Sequence, residues 1–450
     1  MENNISEVFV GDLFRLMNVK FPNSTTIKAK TCLLDYLGVT FAGSKSLEKN
    51  CIKLLQYSGG NSSCVTAVGF NKETGLESAA FINGLCSHTL ELDDGIRFGA
   101  LHLGSPIISA LLPVAMKEKI SGDGLLRGII LGYEAAIRIA STIQPSHTDK
   151  GFHPTATCGT IGAAVAICAA LELSKEQMHT ALSAATSAAS GTLKVFGNNS
   201  ELKPFNTGKA ALNGLISAMV ARAGFLGPED VLSGKTGYFQ MMAEKYDTRY
   251  LKINEEDSYG IDKVYFKPYA ACRHCHPAIE AAIKYKNTDN ILPEDVHEVK
   301  IITYDYVLGK HDHTEVHSVS SAKMSIPYSF AVALCNGTAG LNDFEMRFIN
   351  DSRVKAVLKK VKVYAEDSLT SQVPKMRPAI IELTTKSGKI YTDRVDYPKG
   401  EPENPMTIKE IKDKFVSLAK YRGKQIDGIN GIAEIVLGDI KKLNKIYRLL

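Results

Sequence analysis

The chain has 450 residues, 44% of them apolar and 22% charged, which is more than one small module needs and enough to bury a core without disulfide staples. Lys plus Arg number 53 and Asp plus Glu 48, a net charge of only +5 with no run of five basic residues, which argues against a nucleic-acid partner. The first eighteen residues carry Glu2, Glu7 and Asp12 and lack a basic segment before an apolar core. With nine irregularly spaced cysteines they read as a cytoplasmic chain with reduced thiols and no signal peptide.

From residue 1 to about 260 the pattern is helical. Apolar residues recur at three- and four-residue steps over 27–42, 76–92, 106–119, 125–143, 161–171 and 175–190, punctuated by Gly43, Gly104, Gly122, Gly151, Pro154, Gly224, Gly227 and Pro228. Residues 151–171 are uncharged, but their threonines, glycines and His153 suit a buried soluble helix better than a membrane span. Eleven alanines in 155–190 suit closely approaching helices. After about residue 260 the period changes. Residues 297–304, 361–365, 379–385 and 389–397 read as strands, the last two joined by Lys386-Ser387-Gly388, with helices near 322–335 and 351–360 between them. The expectation is a two-domain protein: a large all-α domain over 1–262, a smaller α+β domain over 263–398, and a linker with C-terminal helices over 399–450 that return to the first domain.

Nucleotide, dinucleotide, nucleophile-elbow and zinc-protease signatures are missing from the sequence. Four other segments concentrate ionisable residues beside Gly or Pro. In 88–106, His88, Glu91 and Asp94 are three apart and are expected on one face near a helix C-terminus, where carboxylates need a compensating cation. His153 precedes a helix start, placed to move a proton. Lys203 before Pro204 is expected to be extended, in a segment that begins at Phe196-Gly197-Asn198-Asn199. The fourth and densest segment is Lys267-Pro-Tyr-Ala-Ala-Cys272-Arg273-His274-Cys275-His276-Pro277. Cys272-x-x-Cys275-His276 matches a c-type haem motif, which normally needs export, and offers zinc ligands without a second Cys/His pair. The favoured reading is an anion site in which Lys267, Arg273, His274 and His276 clamp carboxylates. Downstream, His311, His313 and His317 read as a solvated loop, and Tyr328 starts a helix whose hydroxyl is a useful donor if buried.

In this order the segments resemble the MmgE/PrpD family over nearly the whole chain. The likeness is carried by Asn83-Gly84 with His88 and Asp93-Asp94, His102-x-Gly-Ser-Pro106, Gly151-Phe-His-Pro-Thr155, Lys203-Pro204 with Gly208, and Lys267-Pro-Tyr269 with Cys272 and His276. The resemblance implies an all-helical domain plus an α+β domain and a cofactor-free, metal-independent homodimer with its site between the domains. It also implicates Asp93, His102, His153, Lys203, Lys267 and Tyr328. The family's reactions include 2-methylcitrate dehydration, cis-aconitate decarboxylation and iminodisuccinate epimerisation. Decarboxylase-like members carry Asp at Glu91, Thr at Gly95 and His at Cys272, and the Cys272/His276 pair is more similar to the epimerase-like branch.

Breaking a bond beside a carboxylate needs a base poised near working pH and cations for the growing charge. His153 is expected as general base or acid, His102 as its partner and Asp93 as the group that orients an imidazole. Lys203, Lys267 and Arg273 are expected to hold carboxylates, with His274, His276, Asp94 and Glu91 lining the site. The expected function is a dehydratase-like lyase on a small di- or tricarboxylic acid, with epimerase or decarboxylase as alternatives.

Overall fold

The structure is a computed structural model that describes residues 4–57, 64–196, 200–253 and 258–450. Helices α1 (Ile5–Leu16), α2 (Asn23–Ser46), α3 (Glu48–Tyr57), α4 (Leu76–His88), α5 (Gly104–Glu118), α6 (Gly122–Ile143), α7 (Pro154–Ala170), α8 (Lys175–Ala188) and α9 (Lys203–Arg222) build the first, all-helical layer. At its centre α7 is buried along its whole length, as an uncharged, alanine-rich sequence must be. Glycines set how closely its neighbours approach. A Cβ on Gly132 of α6 would lie 2.7 Å from the Gly162 carbonyl of α7, and one on Gly84 of α4 would lie 2.6 Å from the Gly208 Cα of α9. The second contact matters most for function, because it brings the end of α4 beside the start of α9.

The smaller layer contains α10 (His276–Asn287), strand β1 (Val296–Thr303), the short helix α11 (Val319–Met324), α12 (Ile326–Asn336), β2 (Val361–Ala365), β3 (Ala379–Thr385) and β4 (Ile390–Val395). The sheet order is β2-β1-β3-β4, with β1 parallel to β2 and the other neighbours antiparallel. Register pairs Ile301 with Val363 on one side and Ile381 on the other, and the inward residues Val299, Ile301, Ile381 and Leu383 are buried. A large helical domain plus a smaller α+β domain is therefore the observed fold, as the period change near residue 260 indicates.

Helices α13 (Ile408–Arg422) and α14 (Ile426–Leu437) pack back on α2, with Phe415 against Phe41 and the Phe415 backbone close to Gly38. Lys414 of α13 donates to Asp35 and to the Leu92 carbonyl, both at 2.7 Å, so the returning helix also braces the loop after α4. No helix among the described residues is long and apolar enough to cross a membrane.

Candidate active site between the two domains

Helix α4 ends at His88, four residues earlier than its apolar period suggests. Leu90 and Leu92 enter the core of the α+β domain, and between them the chain turns through a left-handed residue, Glu91, at φ 56°. His88, Glu91 and Asp94 therefore do not share a helix face; each is sent in a different direction.

Glu91 is buried between two lysines from opposite domains. Its carboxylate accepts from the Lys203 ammonium and, at 3.3 Å, from Lys267 Nζ. Lys203 is the first residue of α9 rather than an extended one, because Pro204 sits in the first turn, where no backbone N–H is required. Burial pulls the Glu91 pKa upward, but Lys203 and Lys267 outweigh it and hold the carboxyl well below its ordinary range. Burial likewise opposes the charge on Lys267, and Glu91 more than restores it, raising its pKa. A third buried lysine joins them: Lys323 of α11 donates to the Leu90 carbonyl at 3.1 Å, and burial lowers its pKa to about 8. Sequence reading placed Lys323 only inside a helical segment. Its signal was a lysine near the buried face of an apolar helix.

Asp93 accepts from His88 Nδ1 at 2.7 Å and Ser105 Oγ at 2.8 Å, and lies 3.2 Å from His102 Nδ1. Burial works to raise its pKa, yet His102 and His88 keep it well below the usual value. Asp94 has another task. Its side chain accepts from Gly104 N at 2.9 Å and from the Tyr133 hydroxyl at 2.7 Å, tying down the start of α5, and burial raises its pKa. The Asp94 carbonyl takes His102 Nδ1 at 2.7 Å. A carbonyl only accepts, so the His102 proton sits on Nδ1 and Nε2 offers a lone pair. His102 is also anchored by its backbone N–H on Thr155 Oγ1 at 3.0 Å, beside the start of α7.

His153 occupies the N-cap of α7 and is buried. The Asn206 amide nitrogen donates to the Thr192 carbonyl and to His153 Nδ1, both at 3.2 Å. The neutral ring therefore carries its proton on Nε2, and burial, with His88 and Lys203 nearby, holds its pKa well below the ordinary value. Phe196 ties this ring to the lysines: His153 stands edge-on to it at 4.8 Å and Lys203 Nζ lies 5.3 Å from its centroid. The next residues, Gly197-Asn198-Asn199, lie outside the described residues. His88 completes the group, its ring 4.8 Å from that of His102 and 6.3 Å from that of His153. Sequence reading used His88 as a pattern residue but did not place it in the site; only the fold shows the three imidazoles together.

The wall from the α+β domain is arranged differently from expectation. Arg273 ion-pairs with Glu401 at 2.8 Å and donates to the carbonyls of Pro398 and Lys399 at 3.1 Å, so its guanidinium is engaged away from a ligand. His276 is fully buried between Arg273 and the Ala271 carbonyl, and Cys275 faces the Lys323 carbonyl. Cys272, Cys275 and His276 form no converging ligand group among the described residues, which speaks against zinc on that motif, and Cys275 and His276 are fully buried. The atoms of Cys272, His274 and His311 do converge within 4.8 Å, as do those of His88, Asp93 and His102. His311 is not in a solvated loop: it is buried, donates through Nδ1 to the Met324 carbonyl at 2.9 Å and stacks on His274 at 4.9 Å. Tyr328 lies in the core of the α+β domain with its hydroxyl on the Asp343 carbonyl at 3.0 Å, away from the imidazoles.

The assembled site thus pairs a base-ready imidazole, His102, and a neutral N–H donor, His153, with clustered ammonium groups. That combination suits proton transfer on an organic anion.

Sequence comparisons agree with this layout. The family model described as MmgE/PrpD N-terminal domain matches residues 16–251, and that described as MmgE/PrpD C-terminal domain matches residues 269–434. The chain is similar to cis-aconitate decarboxylase of Homo sapiens, 26% identical over 437 residues covering 92% of this chain and 88% of the relative. It is similar to the cis-aconitate decarboxylase-like protein oryM of Aspergillus oryzae, 25% identical over 442 residues, 93% of this chain and 91% of the relative. A cis-aconitate decarboxylase of Aspergillus terreus is 24% identical over 463 residues, 95% of this chain and 91% of the relative.

Proposed function

The chain belongs to the MmgE/PrpD family, and from that premise we propose that it is a lyase that breaks a bond beside a carboxylate of a small polycarboxylic acid. The observation that carries this reading is the Lys203–Glu91–Lys267 bridge and the Asp93–His102 pair, two buried charged groups of residues from the two domains. Each ammonium has three donors, and Glu91 uses only part of them. The remainder can take substrate carboxylates, and Glu91 keeps Lys267 from being an uncompensated buried charge before substrate arrives.

The first reading of the reaction is decarboxylation, supported by the activities named for the relatives. Lys203 and Lys267 hold the carboxylates that remain. The departing carboxylate leaves as carbon dioxide, and its bonding pair spreads into the unsaturated carboxylate system beside the ammonium groups. A proton from His102, charged at that stage and stabilised by Asp93, then closes the carbanion. The second reading is dehydration, favoured by Cys272 where decarboxylase-like members carry His, and by the free lone pair on His102 Nε2. There His102 removes the proton, the pair moves toward the carboxylate, and the His153 N–H assists departure of hydroxide. The lysines supply the positive charge in both, so the reading is of a cofactor-independent enzyme, and family likeness supports a homodimer.

Incubation with cis-aconitate and with 2-methylcitrate in deuterated water, followed by NMR, separates the outcomes. A decarboxylated product with deuterium at the protonated carbon is expected from cis-aconitate, or an alkene product from 2-methylcitrate with deuterium only in recovered substrate. Reprotonation on the opposite face without elimination would mark an epimerase. Neither product nor exchange with either acid would overturn the proposal.

A further inference from the structure

Sequence reading assigned the arginine of the site to Arg273. The structure shows that the arginine with uncommitted donors is Arg377. Arg273 and Arg97 share Glu401, at 2.8 and 3.2 Å, and Arg97 also meets Glu403. These three arginines face two carboxylates, and among the described residues none of those carboxylates lies within ion-pair distance of Arg377. Among the described residues its side chain makes one long hydrogen bond, from Nη2 to the Arg97 carbonyl at 3.4 Å. Its Nε is buried without a partner among the described residues. Leaving a buried charged donor unmatched costs free energy unless a ligand completes it.

The strand ends place this guanidinium on the same side of the α+β domain as Tyr304 and His274. Arg377 precedes β3, and the next residue, Pro378, accepts from Thr303 Oγ1 at 2.7 Å at the end of β1. The residue after Thr303 is Tyr304, whose hydroxyl holds His274 Nδ1. That bond orients the His274 ring, which stacks on His311 and converges with Cys272. The charges of Arg377 and Lys267 both act on His274 and Cys272, and that of Arg377 on Tyr304. His274 and Cys272, whose ligand atoms converge, thus link the arginine electrostatically to the lysine bridge.

We propose that Arg377, with Cys272 and His274, forms a second carboxylate subsite on the α+β-domain side of the site. It takes a carboxylate of the polyanion whose other carboxylates lie on Lys203 and Lys267. This rests on the polycarboxylate reading above and deepens it: the preferred ligand has three carboxylates rather than two, and a planar guanidinium binds the extra one through two parallel N–H donors.

The test is titration calorimetry with tricarballylate, an unreactive saturated tricarboxylate, and with glutarate, on the intact protein and on the variants Arg377→Met and Arg377→Lys. The intact protein is expected to prefer tricarballylate by tenfold or more. Arg377→Met is expected to weaken tricarballylate by about 10- to 150-fold, the range for a lost charge-assisted pair, and glutarate much less, so the preference collapses. Arg377→Lys keeps a point charge without the fork and falls between. If Arg377→Met fails to fold, as judged by circular dichroism, Arg377→Lys decides: an undiminished preference overturns the subsite. Tricarballylate bound by both variants as by the intact protein also overturns it. Should the intact protein bind neither acid, the functional reading fails, and the subsite with it.

Discussion

Glu91 and Lys267 meet across the boundary of the two domains, carboxylate to ammonium at 3.3 Å, with Lys267 only 1% exposed. The pair holds the two domains together, and in the proposed reading the same ammonium also takes a substrate carboxylate. Replacing Glu91 by Gln leaves a buried ammonium without a counter-charge. The expected cost is on the order of 3 kcal/mol in urea denaturation. Added tricarballylate should recover part of it, because a bound carboxylate stands in for the lost one.

The two imidazoles proposed to move protons, His102 and His153, are set apart by their hydrogen-bond partners. His102→Asn removes the lone pair assigned to proton transfer and is expected to lower kcat by about 10²- to 10⁴-fold with a smaller change in KM. Asn206→Asp is a sharper test of His153. An aspartate accepts where the amide donates, which draws the His153 proton to Nδ1 and leaves Nε2 unprotonated. Turnover should fall by about 10²-fold or more; because the Thr192 carbonyl also loses its donor, the fold is checked by circular dichroism alongside. Unchanged turnover in Asn206→Asp would remove His153 from the chemistry.

Lys323 sets a pH dependence. Its pKa is lowered to about 8 by burial, so the ammonium is present below that pH and lost above it. Polycarboxylate affinity should therefore weaken as pH rises through about 8, and Lys323→Met should bind weakly with no such limb. The stability sign is the reverse. Charging Lys323 is harder in the fold than in the unfolded chain, where the pKa is near 10.5, so its contribution to stability declines as pH falls from 10.5 through about 8.

Tyr328 provides a control. Its hydroxyl serves the Asp343 carbonyl inside the α+β domain. Tyr328→Phe is expected to cost about 1 kcal/mol of stability and to leave kcat within a factor of two. A hundredfold loss of turnover would place the hydroxyl in the reaction after all.

What the sequence by itself determined was periodic or local. The switch from three- and four-residue steps to alternation near residue 260 marked the two kinds of domain, and the Lys386-Ser387-Gly388 turn marked the β3–β4 hairpin. Gly and Pro breaks pointed to the loops that carry His102, His153 and Lys267. These signals survive in one dimension because helix and strand spacing, and backbone freedom at a turn, are properties of neighbouring residues. Which side chains are free to act was decided only in three dimensions. Arg273 and Arg377 look equally available in the sequence, yet Glu401, 128 residues beyond Arg273, engages one and leaves the other. Glu91 left its helix because Leu90 and Leu92 belong to the core of the other domain. Lys323 came into view only as α11 closed over the Leu90 carbonyl. Charge pairing and burial are settled by partners distant along the chain, and residue spacing carries no record of them.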